Sequence, residues 1–194
     1  MDFELSEDQV LLQESVTRFV ADNYSFEQRR KLVDTDQGYS DKQWSQFAEL
    51  GWLGMPFAED VGGYGGTPVE TMVVLEEFGK GLVAEPYIST IVLGGGALVH
   101  GGTAAQQQEL IPQVAEGNLK LALGFAERQS RYNLADVQTK AEKSGVDYVL
   151  SGMKSVVFGA PTANKFIVSA RTGGAARDEG GISLFLVDAE DRKS

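Results

Sequence analysis

Apolar positions in the first part of the chain recur at helical spacing. Leu12, Val16, Phe19 and Val20 stand at i, i+4, i+7 and i+8, one face of a helix. Just before them, Ser6-Glu7-Asp8-Gln9 has the form of a capping box, in which a serine hydroxyl and a glutamine side chain satisfy each other's backbone N–H groups. Ser40-Asp41-Lys42-Gln43 opens a second helix, with Trp44, Phe47 and Ala48 on one side. Thr67-Pro68-Val69-Glu70 opens a third: threonine caps, proline suits the first helical position, and Val69, Met72 and Val73 begin the buried side. The apolar stretch 87–100 predicts a buried helix. Thr103 to Glu116 predicts a last one, interrupted by Pro112 and stopped by Gly117.

Beyond Gly117 the period changes to two. Leu119, Leu121 and Leu123 alternate as in a half-buried strand. Tyr148-Val149-Leu150, Val156-Val157-Phe158, Lys165 to Arg171 and Ile182 to Val187 are short β-rich runs, and Ser144-Gly145, Gly173-Gly174 and Gly180-Gly181 separate them as turns. Helices first and strands afterwards is an α+β order. The expectation is an all-helical domain over 1–116 followed by an antiparallel, barrel-like β-domain over 117–194 that is incomplete.

Four glycines crowd the stretch PFAEDVGGYGGTPVE before the third helix. A phosphate loop would need the Walker spacing with its lysine, or GxGxxG between a strand and a helix. Neither is present, and no strand precedes Gly62. The glycines read as a tight inter-helix connection that uses positive φ.

Composition narrows the classes of function. The net charge is −11, which argues against nucleic acid and anionic membrane as partners. There is no cysteine and one histidine, so thiolate metal sites, an ordinary zinc site and a histidine triad have almost nothing to build on. No catalytic or metal residue is assigned. No apolar run approaches a membrane span. The start, MDFELSEDQ, is acidic, unlike a secretory or mitochondrial leader, and a cytoplasmic setting is expected. His100, on the apolar stretch, reads as a packed, hydrogen-bonded side chain. Glu76 and Glu77 point to different helix faces, and Glu59-Asp60 reads as two solvated loop carboxylates. Gly94-Gly95-Gly96 inside an apolar helix costs stability. A close helix crossing or room for an acyl chain would each explain it.

As a set, these stretches resemble the acyl-CoA dehydrogenase family. LGMPFAEDVGGYGG, followed by Glu76-Glu77-Phe78-Gly79, resembles its N-terminal domain. Gly102-Thr103, Leu110-Ile111-Pro112 and Glu116-Gly117 resemble the helix leading to its middle domain. Leu150-Ser151-Gly152-Met153-Lys154 and Gly181 to Asp188 resemble two strands of its β-domain. Within the family, Glu127-Arg128-Gln129-Ser130-Arg131-Tyr132 is most like a pimeloyl-CoA dehydrogenase small subunit.

The resemblance implies FAD as cofactor and an acyl-CoA thioester as substrate: a carboxylate removes the α-proton and the β-hydrogen leaves as hydride to the flavin. It implies an oligomer of like or unlike dehydrogenase subunits and an electron-transfer protein as acceptor. It implies cofactor-binding roles for Leu123, Phe125, Ala126, Arg131, Tyr132, Val156 and Phe158. Departures matter here. The family's Thr-Glu-Pro-x-x-Gly-Ser-Asp loop is Ala126-Glu127-Arg128-Gln129-Ser130-Arg131-Tyr132-Asn133, in which only the glutamate remains. The family's Lys-x-Trp/Phe-Ile-Thr-Asn segment is Lys154-Ser155-Val156-Val157-Phe158-Gly159. Val156 and Phe158 read either as flavin neighbours or as β-core. The family's C-terminal helical domain, which carries the catalytic glutamate, is missing, so the expectation is a fragment of a longer dehydrogenase. A non-catalytic scaffold subunit of a heteromeric dehydrogenase is the competing expectation.

Overall fold

Each capping pattern starts a helix where it stands in the computed structural model, which describes residues 4–191; Met1–Phe3, the first residues of the acidic start, lie outside them. Ser6 caps α1 (Glu7–Asn23), its hydroxyl accepting from the Gln9 N–H while the Gln9 side chain accepts from the Ser6 N–H. Ser25 and Gln28 do the same for α2 (Phe26–Val33), a helix that hydrophobic periodicity misses because none of its residues is buried. Ser40 caps α3 (Asp41–Glu49). Thr67 and Glu70 box the start of α4 (Pro68–Gly81).

The face that α4 buries differs from the expected one. Val73, Val74, Glu77 and Phe78 are inside, whereas Val69 and Met72 are exposed. The reason is that α4 packs on α1 and on an aromatic cluster that selects the 73/74/77/78 side. Phe47 stacks on Phe78 at 4.8 Å between centroids, and Trp52 meets Phe19 edge-on at 5.3 Å. Such pairs add about 0.5–1.5 kcal/mol each beyond their area burial. Pro112 does not interrupt α6 (Ala104–Ala115). It lies in the last turn, where a missing N–H removes a single ladder bond.

The described chain forms two compact units. One comprises residues up to Tyr87 together with 103–118; the other comprises 88–102 and 119 onward. The apolar stretch therefore belongs by contact to the β-containing unit. It is not one α-helix: Ile88–Gly95 winds as a π-helix, and α5 (Gly96–Gly101) follows.

Five strands complete the second unit: β1 (Leu121–Gly124), β2 (Lys140–Ser144), β3 (Asp147–Ser151), β4 (Lys165–Arg171) and β5 (Ile182–Asp188). β5 pairs with β4 antiparallel from Lys165 to Arg171. β1 pairs with residues 165–168 of β4 in parallel, and β2 adds a parallel bridge at Arg171. A strand has two edges, so β1 and β2 share the edge opposite β5. The sheet is thus mixed and open rather than an antiparallel barrel. A parallel β1–β4 pair needs a long crossover, and residues 125–164, which carry the β2–β3 hairpin, supply it. Leu121 and Ala122 are both buried, so β1 is covered on both faces, unlike the half-buried strand expected. The run Val156–Phe158 forms no strand.

The π-helix explains Gly94. A Cβ added there would stand 2.4 Å from Leu121 Cβ. Close approach of the π-helix to β1 is therefore what that glycine permits. Thr90 Oγ1 strengthens the contact, accepting from Leu121 N at 3.3 Å. The loop joining β4 to β5 is held by Arg171, which is 8% exposed and whose guanidinium donates to the carbonyls of Ala135, Val137, Gly173, Ala176, Asp178 and Gly180.

Candidate functional site

The glycine-rich loop is closed to phosphate by its own hydrogen bonds. The N–H groups of Gly62, Gly63, Tyr64, Gly65 and Gly66 donate in turn to the carbonyls of Glu59, Ala58, Gly54, Phe57 and Met55. No amide in the row is left for an anion. Gly63 is required because a Cβ there would lie 2.1 Å from Phe57 O.

The loops after β1 and after β3, by contrast, meet one another. Ser155 N donates to Ala126 O at 2.9 Å. Lys154 Nζ reaches Glu127 Oε1 at 2.7 Å and Ser169 Oγ at 3.0 Å. Glu127 is 5% exposed, yet all its acceptor capacity is used. Besides Lys154, Oε1 accepts from Thr139 N at 3.0 Å, and Oε2 accepts from Gln138 N at 2.8 Å and Gln129 Nε2 at 2.7 Å. Burial by itself pushes the Glu127 carboxyl up, but the bonds from Lys154, Thr139 and Gln129 outweigh it and bring it down to about 2. Burial also draws the Lys154 ammonium below its ordinary value, against the pull of Glu127.

Other side chains on these segments are less buried. Leu123, Phe125 and Ala126 are half-buried along the end of β1. Val156 is 76% exposed, Phe158 60% and Tyr132 99%. The core-packing reading of Val156 and Phe158 is therefore excluded for this chain. Arg131 and Val156 both have positive φ, 49° and 55°. For a β-branched residue this is an outlier of roughly 1–3 kcal/mol, of a kind that clusters at ligand-binding segments. Tyr132 makes no ring contact or hydrogen bond among the described residues, so nothing here ties it to Phe158.

Periodicity and motif did not single out the Glu127–Lys154 pair as part of the site. The available signal was that Glu127 alone of its loop, and Lys154 at the head of the other, kept the expected residue type. His100 is exposed at the end of α5, not packed as expected, because Leu98 and Ile91 take the buried side. Glu76 is exposed and Glu77 buried, on different faces; Glu77 accepts from Lys80 at 2.6 Å. Glu59 and Asp60 are exposed. Among the described residues no cluster of His, Cys, Asp or Glu could hold a metal, and no helix is long and apolar enough to cross a membrane. The loops after β1 and after β3 are thus joined by hydrogen bonds and carry exposed apolar side chains.

Comparison with known proteins gives the family. The family description "Acyl-CoA dehydrogenase, N-terminal domain" matches residues 6–118, and "Acyl-CoA dehydrogenase, middle domain" matches residues 122–193. The probable acyl-CoA dehydrogenase YngJ of Bacillus subtilis is 30% identical over 98% of this chain and 50% of its own length. A chain of the ChsE4-ChsE5 complex from Mycobacterium tuberculosis superposes with a TM-score of 0.84 at 28% identity, over 98% of this chain and 50% of that one. The FAD complex of PigA shares the fold, with a TM-score of 0.83 at 24% identity over 97% of this chain and 49% of its own. The chain thus spans about half the length of the relatives it matches. With both of its halves matched in order by the two domain descriptions, the chain belongs to the acyl-CoA dehydrogenase family.

Proposed function

We propose that the chain is part of an FAD-dependent acyl-CoA dehydrogenase that desaturates an acyl-CoA thioester between its α and β carbons, with the active site completed by a further helical domain. FAD is the cofactor that the family and its FAD-bound neighbour support. When bound, it supplies the hydride acceptor. The observation that carries the reading is the joined pair of loops, fixed by Ser155–Ala126 and Lys154–Glu127, on which Val156 and Phe158 stand exposed. In this reading Leu123, Phe125 and Ala126 line the ring's seat, Val156 and Phe158 cover one side, and Arg131 and Tyr132 flank it. In chain order the helical domain comes first, to residue 116, and the β-domain follows from 117, with the stretch 88–102 packed into the β-containing unit. No residue of this chain is assigned as the catalytic base in this reading.

The finer features belong to the same proposal: acyl-CoA as substrate in fatty acid metabolism, further dehydrogenase subunits and an electron-accepting protein as partners, a cytoplasmic setting, and likeness to a pimeloyl-CoA dehydrogenase small subunit, which rests on Glu127 to Tyr132. A second reading has its own support. Arg131 and Tyr132 replace a small pair of the family motif, and one structural neighbour is a complex of two chains. A scaffold subunit would keep the fold and hold no flavin. The visible absorbance of the protein, purified with and without a partner dehydrogenase subunit, separates the two. Bound flavin in a ratio near one per chain supports the enzyme. A colourless protein in both preparations supports the scaffold.

A further inference from the structure

The edge of β4 opposite β5 changes partner within a few residues. β1 occupies it at 165–168 and β2 at 171, and Ser169 lies between the two. The Glu127–Lys154 pair fills that split. Lys154 donates to Ser169 Oγ, to Glu127 and, at 3.5 Å, to Phe125 O. Glu127 collects the backbone N–H groups of Gln138 and Thr139 and the amide of Gln129. Every segment that carries a residue of the proposed ring seat therefore ends on this one pair: β1 through Phe125, the 128–133 turn through Gln129, and the 152–158 loop through Lys154 itself. Few of these bonds join regular strands to one another. The pair acts on loops.

We propose that Glu127 and Lys154 are positioning residues, a latch that holds the two rim loops as a single rigid unit and so sets the tilt of the flavin seat. The proposal rests on the cofactor reading above. Two of the three non-glycine residues with positive φ among the described residues agree with it, the third, Leu82, lying at the end of α4. Arg131 lies four residues after Glu127 and Val156 two after Lys154, so each strained residue stands on a loop that a member of the pair holds. The low carboxyl value of Glu127 keeps the latch charged throughout the neutral range.

The test uses the full chain as wild type, Glu127→Gln, Lys154→Met and the double variant. Amide hydrogen exchange is first measured without ligand. The latch predicts exchange at least tenfold faster in 125–132 and in 152–158 together, in either single variant, with β4 and β5 protection kept and the double variant no worse than the singles. Faster exchange spread over all strands, or confined to the loop that carries the substitution, overturns it. FAD is then titrated against each protein by flavin fluorescence. Where wild type binds, both variants should bind at least tenfold more weakly and show a shifted visible band for the flavin that remains, a change that lost stability alone does not produce. Unchanged affinity and band shape in folded variants overturn the latch and leave the cofactor reading standing. Coupled loop exchange with no FAD binding by wild type, alone or with a partner subunit, overturns the cofactor reading instead.

Discussion

Phe158, for which the sequence allowed a core reading, is exposed in the structure, and so is Tyr132. A Phe158 in the core would cost about 3–5 kcal/mol on truncation. At 60% exposure it has little to lose, and Tyr132 at 99% has less. Tyr132→Ser and Phe158→Thr together should therefore change stability by no more than about 1 kcal/mol, read as the midpoint of chemical denaturation. A loss of several kcal/mol would return both to the core. Glu127 makes the opposite prediction. Its folded value of about 2 lies below the unfolded one near 4.3. A depressed carboxyl contributes stability that is present above the unfolded value and is lost as pH falls through the folded one. That contribution, on the order of 2–3 kcal/mol, should fade between about pH 4.5 and 2 in wild type. The stability gap between wild type and Glu127→Gln should close over the same window, and melts at pH 6, 4 and 2.5 measure it. A gap that stays constant with pH contradicts the charged pair.

At the scale of elements, the helices were legible because their signals are local. A serine or threonine cap three residues before a glutamine or glutamate needs no tertiary partner to work, and α1, α3 and α4 begin where such patterns stand. α2 escaped because it buries nothing, and the buried face of α4 was misjudged because the aromatic cluster, not the helix alone, selects it. The sheet was harder for a physical reason. Whether β1 pairs in parallel or antiparallel is decided by where the crossover returns, and period two carries no such information. Likewise, a β-rich run such as Val156–Phe158 cannot announce that φ at Val156 is positive. Of the site, the two loops were legible by motif, whereas the ion pair between them depends on three-dimensional closure. The aromatic cluster gives the elements a direct check. Phe47 is fully buried against Phe78, Trp52 and Phe19, so Phe47→Ala should cost about 3–5 kcal/mol in equilibrium denaturation. A cost under about 1 kcal/mol would mean that the cluster does not hold the helices.

For the molecule as a whole, the chain has a flavin seat and a latch in the proposed reading, and none of its residues is assigned as the base. Purified alone, it should not oxidise an acyl-CoA with an artificial electron acceptor above a flavin-free blank, and turnover above that blank would show that the residues for the whole reaction are present. The central claim is narrower: the loops after β1 and β3 face the flavin. The most direct measurement adds FAD to the purified protein, with its partner subunit where one is required for binding, and maps amide exchange along the chain. The expected result is protection concentrated in 124–132 and 152–159, with α1, α3 and α4 unchanged. Bound FAD that protects other segments and leaves these two loops untouched would contradict it.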